Sequence, residues 1–142
     1  FADLIKSLNG IKNKPYMIKL PRLEIRDLDQ KTKRLYEEYF QILLDYKVDG
    51  LVLSNTFPFE DDILKTRKGG LSGKPLYQNT KDLISFASQF FNDELDIVAS
   101  GGISTSEEVK ELITEGAKAI QLWTSLIYEG PGLIKRINKE LL

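Results

Sequence analysis

The sequence predicts an α/β protein built on a parallel sheet. Short apolar runs recur near 16–20, 50–54, 96–99 and 119–122, and each is followed by a stretch with helical spacing. The runs Leu51-Val52-Leu53 and Ile97-Val98-Ala99 show no polar alternation, as expected of parallel strands buried on both faces. Pattern alone leaves two architectures open. One is a four-stranded doubly wound sheet; the other is half of an eight-stranded barrel, which needs about 250 residues when whole.

In chain order, Leu4, Ile5 and Leu8 mark a helix stopped near Asn9-Gly10, and Lys12 to Pro15 is a polar connector. Tyr16 to Leu20 is the first strand, closed by Pro21, which cannot continue a ladder. Lys19 is its anomaly: a lysine in an apolar strand either snorkels out at an edge or meets an anion. Asp29 to Lys47 is a helix with a broad apolar stripe through Leu35, Tyr36, Tyr39, Phe40, Leu43 and Leu44. The second strand ends in Ser54-Asn55-Thr56, small polar side chains at a strand C-terminus, where α/β sheets place ligands. Phe57 to Leu76 shows no clear periodicity, and its charges (Glu60, Asp61, Asp62, Lys65, Arg67, Lys68) suit a solvated loop. Within it, GGLSGKPL has enough glycine to let backbone approach a ligand closely. Asn79 is the expected cap of a helix that continues through Phe91.

Asp96 to Thr124 forms the most informative unit. An apolar strand gives way to Gly101-Gly102; Ser104 and Glu107 then have capping-box spacing, Gly116 ends the helix, and Ala119 to Leu122 resume the apolar run. Glycines between strand and helix present bare N–H groups, which suits a phosphate; a tight turn serving only backbone geometry is the alternative. Pro131 fits the first turn of a last helix packed through Leu133, Ile134, Ile137 and Leu141.

Composition narrows the chemistry. With no cysteine and no histidine, the chain has no thiolate nucleophile, no imidazole base and none of the commonest metal ligands, so no metal site is expected. A net charge of −1 over 142 residues gives no broad attraction to nucleic acid. No apolar run approaches the roughly 20 residues of a membrane span.

Taken together, KLP, SNT, GGLSGKPL, ASGGI and QLWTSLIYEGPG resemble the C-terminal half of the dihydroorotate dehydrogenases, in the class 2, quinone-reducing branch. The resemblance implies an FMN-binding (β/α)8 barrel, with residues 1–142 forming one unit that supplies its last four βα units. It implies FMN contacts at Lys19, Ser54, Ser72, Gly73, Gly101, Gly102, Trp123 and Thr124, and substrate contacts at Asn55 and Thr56. It also implies what is expected upstream: the catalytic base (a serine), the other half of the barrel, and helices that reach the membrane and admit quinone. The implied partners are dihydroorotate or orotate, a quinone and that other half; the implied location is a membrane surface, mitochondrial inner or bacterial cytoplasmic. The chain departs from the family's K-[IL]-[AS]-P-D at Lys19-Leu20-Pro21-Arg22, one residue shorter; it has Phe57 where Thr is common and Trp123 where Tyr is frequent. Alternative readings are a class 1 soluble relative and a non-catalytic phosphate-binding half barrel.

Overall fold

The structure, a computed structural model, describes residues 1–11, 13–22, 29–60, 62 and 66–142. Lys12 of the connector and Asp61 and Lys65 of the loop charges lie outside the described residues.

Helix α1 (Ala2–Ile11) precedes strand β1 (Met17–Lys19), helix α2 (Gln30–Asp45) and strand β2 (Gly50–Leu53). A hairpin of β3 (Phe57–Glu60) and β4 (Lys68–Leu71) follows, then a 3-10 turn and helix α3 (Tyr77–Phe91). Strand β5 (Asp96–Ser100), helix α4 (Ser106–Thr114), strand β6 (Ala119–Gln121), and helices α5 (Thr124–Glu129) and α6 (Gly132–Leu141) complete the order. The main sheet is parallel throughout, in the order β1-β2-β5-β6. A doubly wound sheet reverses direction at a switch point, whereas here the strands follow one another as neighbours. With right-handed crossovers, that order puts every connecting helix on one face, the arrangement of consecutive staves in a (β/α)8 barrel.

The two faces of the sheet differ. Leu51, Leu53, Ile97 and Ala99 are buried in the same cluster as Tyr36, Phe40, Leu43, Leu83, Ile84 and Phe91 of the helices. Phe40 anchors it, with the Phe91 ring centroid at 4.7 Å and that of Phe90 at 5.4 Å. Val52 and Val98 are buried outside that cluster, and they are paired in register. Since side chains alternate along a strand, these two face the opposite side, the interior of the barrel curve.

Three local expectations are corrected. The stretch after Thr56 is an antiparallel hairpin rather than an irregular loop, with Phe57 opposite Leu71 and Pro58 opposite Gly70. Pro58 and two glycines conceal it from a propensity reading. Asn79 does not cap α3, which begins two residues earlier; its Oδ1 accepts a 2.7 Å hydrogen bond from Arg22. The capping box of α4 pairs Thr105 with Glu108, one residue beyond Ser104 and Glu107.

Glu108 explains the shift in the cap. Its Oε2 accepts from the amides of Ser104 (2.7 Å) and Thr105 (3.1 Å), while Lys74 Nζ donates to Oε1 at 2.8 Å. Burial alone would raise this carboxyl, but the hydrogen bonds from Lys74, Ser104 and Thr105 outweigh it and hold the group below the ordinary range. A depressed carboxylate stabilises the fold above its unfolded value of about 4.3, and that contribution is lost as pH falls through the lower folded value. Glu108→Gln is therefore expected to cost about 2 kcal/mol at neutral pH and to flatten the acid limb of stability. Urea titrations of the intact protein between neutral and acid pH check this, and an unchanged acid limb would count against the assignment.

Candidate functional site

All ten candidate residues line one cavity of about 620 Å³ at the C-terminal ends of the parallel strands. Strand register explains the convergence from the first wall onward. Lys19 pairs with Val52 and Ser100 with Gln121, so Lys19, Ser100 and Gln121 share the face of Val52 and Val98. The anomalous lysine thus points into the cavity, where its Nζ lies 3.5 Å from Gln121 Oε1 across the sheet. Among the described residues it has no carboxylate partner.

At the end of β2, the Ser54 amide donates to the carbonyl of Ser100 at 2.8 Å, continuing the ladder past the last paired strand residue. Ser54 is buried, whereas Asn55 and Thr56 are exposed at the cavity. Asn55 Oδ1 accepts from the Thr56 amide at 2.9 Å, a local turn that leaves its NH2 group free to donate outward. Thr56 in turn packs against the hairpin, because a Cβ on Gly70 would lie 2.5 Å from its Oγ1.

The third wall is glycine-lined. Gly73, Gly101 and Gly102 all have positive φ, at 80°, 126° and 80°. A Cβ at Gly102 would overlap the amide of Tyr77 and lie 3.0 Å from the carbonyl oxygen of Gly73; one at Gly73 would lie 3.1 Å from Thr124 Cγ2. Gly73, Gly102 and Thr124 therefore meet at one point. Ser125 Oγ donates to the carbonyl of Ile103 at 2.7 Å, fastening the start of α5 to the turn after β5.

Neither Gly101 nor Gly102 donates its amide to another group among the described residues. The amides of Ser104 and Thr105, just before α4, are by contrast already taken by Glu108, whereas those of the two glycines are open to an anion. Ser72 and Trp123 also line the cavity, and Trp123 is 75% exposed. The lining charges are balanced apart from Lys19: Lys74 is paired with Glu108, and Glu129 with Arg136. A net-positive cavity lined by an ammonium and by glycine N–H groups without partners among the described residues suits an anion.

Two residues were not singled out by sequence reading. Gln121 neighbours Lys19, and the signal for it was parity with Ser100 across the ladder. Arg22 is buried behind the cavity and bonded to Ser54, Asn55, Asn79 and Thr80; its only signal was its place at the KLPR departure.

Comparison with known proteins gives a consistent family. Residues 2–142 match the family model described as Dihydroorotate dehydrogenase. A dihydroorotate dehydrogenase (quinone) of Christiangramia forsetii is 34% identical over 139 residues, covering 95% of this chain and 41% of that protein. One from Coxiella burnetii is 41% identical over 100 residues, 68% of this chain and 29% of the relative. The crystal structure of DHODH from Eimeria tenella in complex with ferulenol superposes with a TM-score of 0.73 at 30% identity, covering 90% of this chain and 33% of that one. The chain spans less than half the length of each of these relatives.

Proposed function

The chain belongs to the dihydroorotate dehydrogenase family, and from that premise we propose that it forms the flavin-holding part of an FMN enzyme that oxidises dihydroorotate to orotate in pyrimidine synthesis, with a quinone as electron acceptor. The observation that carries this reading is the convergence of all ten candidate residues on one cavity at the strand ends. FMN, when bound, supplies the two-electron acceptor.

The residues present fit that group. The amides of Gly101 and Gly102, without partners among the described residues, the backbone at Trp123 and the hydroxyl of Thr124 would hold its phosphate. Lys19, facing into the cavity without a carboxylate partner among the described residues, would meet negative charge there. Ser54, Ser72 and Gly73 would lie against the ring, and the free NH2 of Asn55, with Thr56, would bind the substrate. The C5 proton would go to a base supplied by the other half of the barrel, the serine that the family resemblance implies upstream.

The rest of the barrel would close on the sheet edges β1 and β6; Met17 of β1 is 45% exposed and Trp123, just past β6, is 75% exposed. Among the described residues no helix is long and apolar enough to cross a membrane; membrane association would come from a segment upstream. In the intact enzyme, an absorbance band near about 450 nm should bleach anaerobically on adding dihydroorotate and return on adding a soluble quinone. A colourless protein, or a flavin that dihydroorotate does not bleach, refutes the reading; reoxidation by fumarate but not quinone moves it to class 1.

A further inference from the structure

Arg22 is 7% exposed, and every group it bonds among the described residues is neutral. Its Nε reaches Ser54 Oγ and the carbonyl oxygen of Asn55, both at 3.1 Å. One terminal nitrogen donates to Asn79 Oδ1 at 2.7 Å; the other donates to Ser54 Oγ at 2.6 Å and Thr80 Oγ1 at 3.0 Å. Burial holds the guanidinium below its ordinary value, and no carboxylate offsets this among the described residues. Buried arginines ordinarily have an acidic partner, because a lone charge removed from water is costly.

The position of this charge is specific. A Cβ on Gly101 would lie 2.9 Å from Thr80 Oγ1 and 3.5 Å from the Arg22 nitrogen that bonds it. The guanidinium therefore stands directly behind the turn whose amides have no partner among the described residues, and it grips the two residues that follow β2. We infer that Arg22 is a positioning residue whose charge is balanced by a phosphate monoester bound at Gly101-Gly102, while its fork fixes Ser54 and Asn55 to the start of α3. This rests on the flavin-binding reading above. It assigns to one side chain both the alignment of the β2 end and part of the affinity for the phosphate.

The two roles separate in a binding experiment on the intact enzyme stripped of flavin, titrated with FMN and with riboflavin, which lacks the phosphate. Arg22→Gln keeps polar donors but removes the charge; it is expected to weaken FMN by about tenfold or more, and riboflavin by less than about threefold, the scale of a charge acting at short range in a partly buried site. Arg22→Lys keeps the charge but loses the fork; it is expected to weaken both ligands while leaving their affinity ratio near that of the wild type. Equal losses of FMN and riboflavin in Arg22→Gln, or no loss of either, would overturn the charge assignment. Should thermal unfolding show that Arg22→Gln does not fold, the lysine variant decides, since a changed ratio there is equally adverse. Wild-type enzyme that takes up neither ligand would instead overturn the functional reading, and this inference with it.

Discussion

Lys19→Ala is expected to slow the bleaching of bound flavin by dihydroorotate about a hundredfold or more, with flavin still bound. Lys19 reaches the cavity because strand parity turns it inward with Val52, and its one hydrogen-bond partner among the described residues is Gln121 at 3.5 Å. A contact that long to a neutral amide leaves the ammonium available for negative charge developing in the cavity. Prepositioned charges of this kind lower barriers by several kcal/mol, the scale of a hundredfold to a thousandfold in rate. Since the lysine packs little into the core, its removal should leave thermal stability nearly unchanged. Anaerobic stopped-flow absorbance near about 450 nm measures the effect directly. Bleaching at a near-normal rate would remove Lys19 from the chemistry.

Gly102→Ala is expected to empty the site by a different route. The residue has φ 80°, where an L side chain costs roughly 1–2 kcal/mol. Its Cβ would also overlap the Tyr77 amide and press within 2.7 Å of Tyr77 Cα and 3.0 Å of the Gly73 carbonyl oxygen, all of them backbone atoms that cannot rotate away. Gly130 supplies the control, because it has φ 75° but nothing within 4 Å of a built Cβ. Gly130→Ala should therefore show the strain alone and retain its flavin. Gly102→Ala should lose flavin affinity by about tenfold or more, since relief requires the Gly73, Gly102 and Thr124 junction to open. The flavin-to-protein absorbance ratio after purification, compared between the two variants, checks the prediction; equal retention would show that the junction is not part of the binding site.

Much of the architecture was legible because it rests on periodicity. The four parallel strands were visible as apolar runs, and the polar ends Ser54-Asn55-Thr56 and Gly101-Gly102 marked where each run stopped. The hairpin was illegible for the opposite reason: Pro58, Gly69 and Gly70 carry almost no strand propensity, and pairing is imposed by Thr56 packing against a bare glycine backbone. The cap of α4 was ambiguous in sequence, since Ser104 with Glu107 and Thr105 with Glu108 satisfy the same spacing. The approach of Lys74 from the 3-10 turn before α3 favours Glu108, and that contact is set by tertiary structure. Asn79 was read as a cap from local preference, but the buried Arg22 claims its side chain. In each case the missing information was a partner distant in the chain.

The alternation of β1 and β2 bears on how such a chain can change in length over evolution. Leu51 and Leu53 serve the helices while Lys19 serves the cavity and Val52 shares its face, so inserting or deleting one residue within a strand would exchange core and site together. Pro21 and Arg22 lie beyond Lys19, the last paired residue of β1. A change in length there lies outside the Met17–Lys19 register, and in this chain Arg22 is the side chain that drops behind Ser54. Strand interiors are thus closed to length variation, while the segments just past their ends remain open to it, and new chemistry can enter the wall of the cavity there without refolding the sheet.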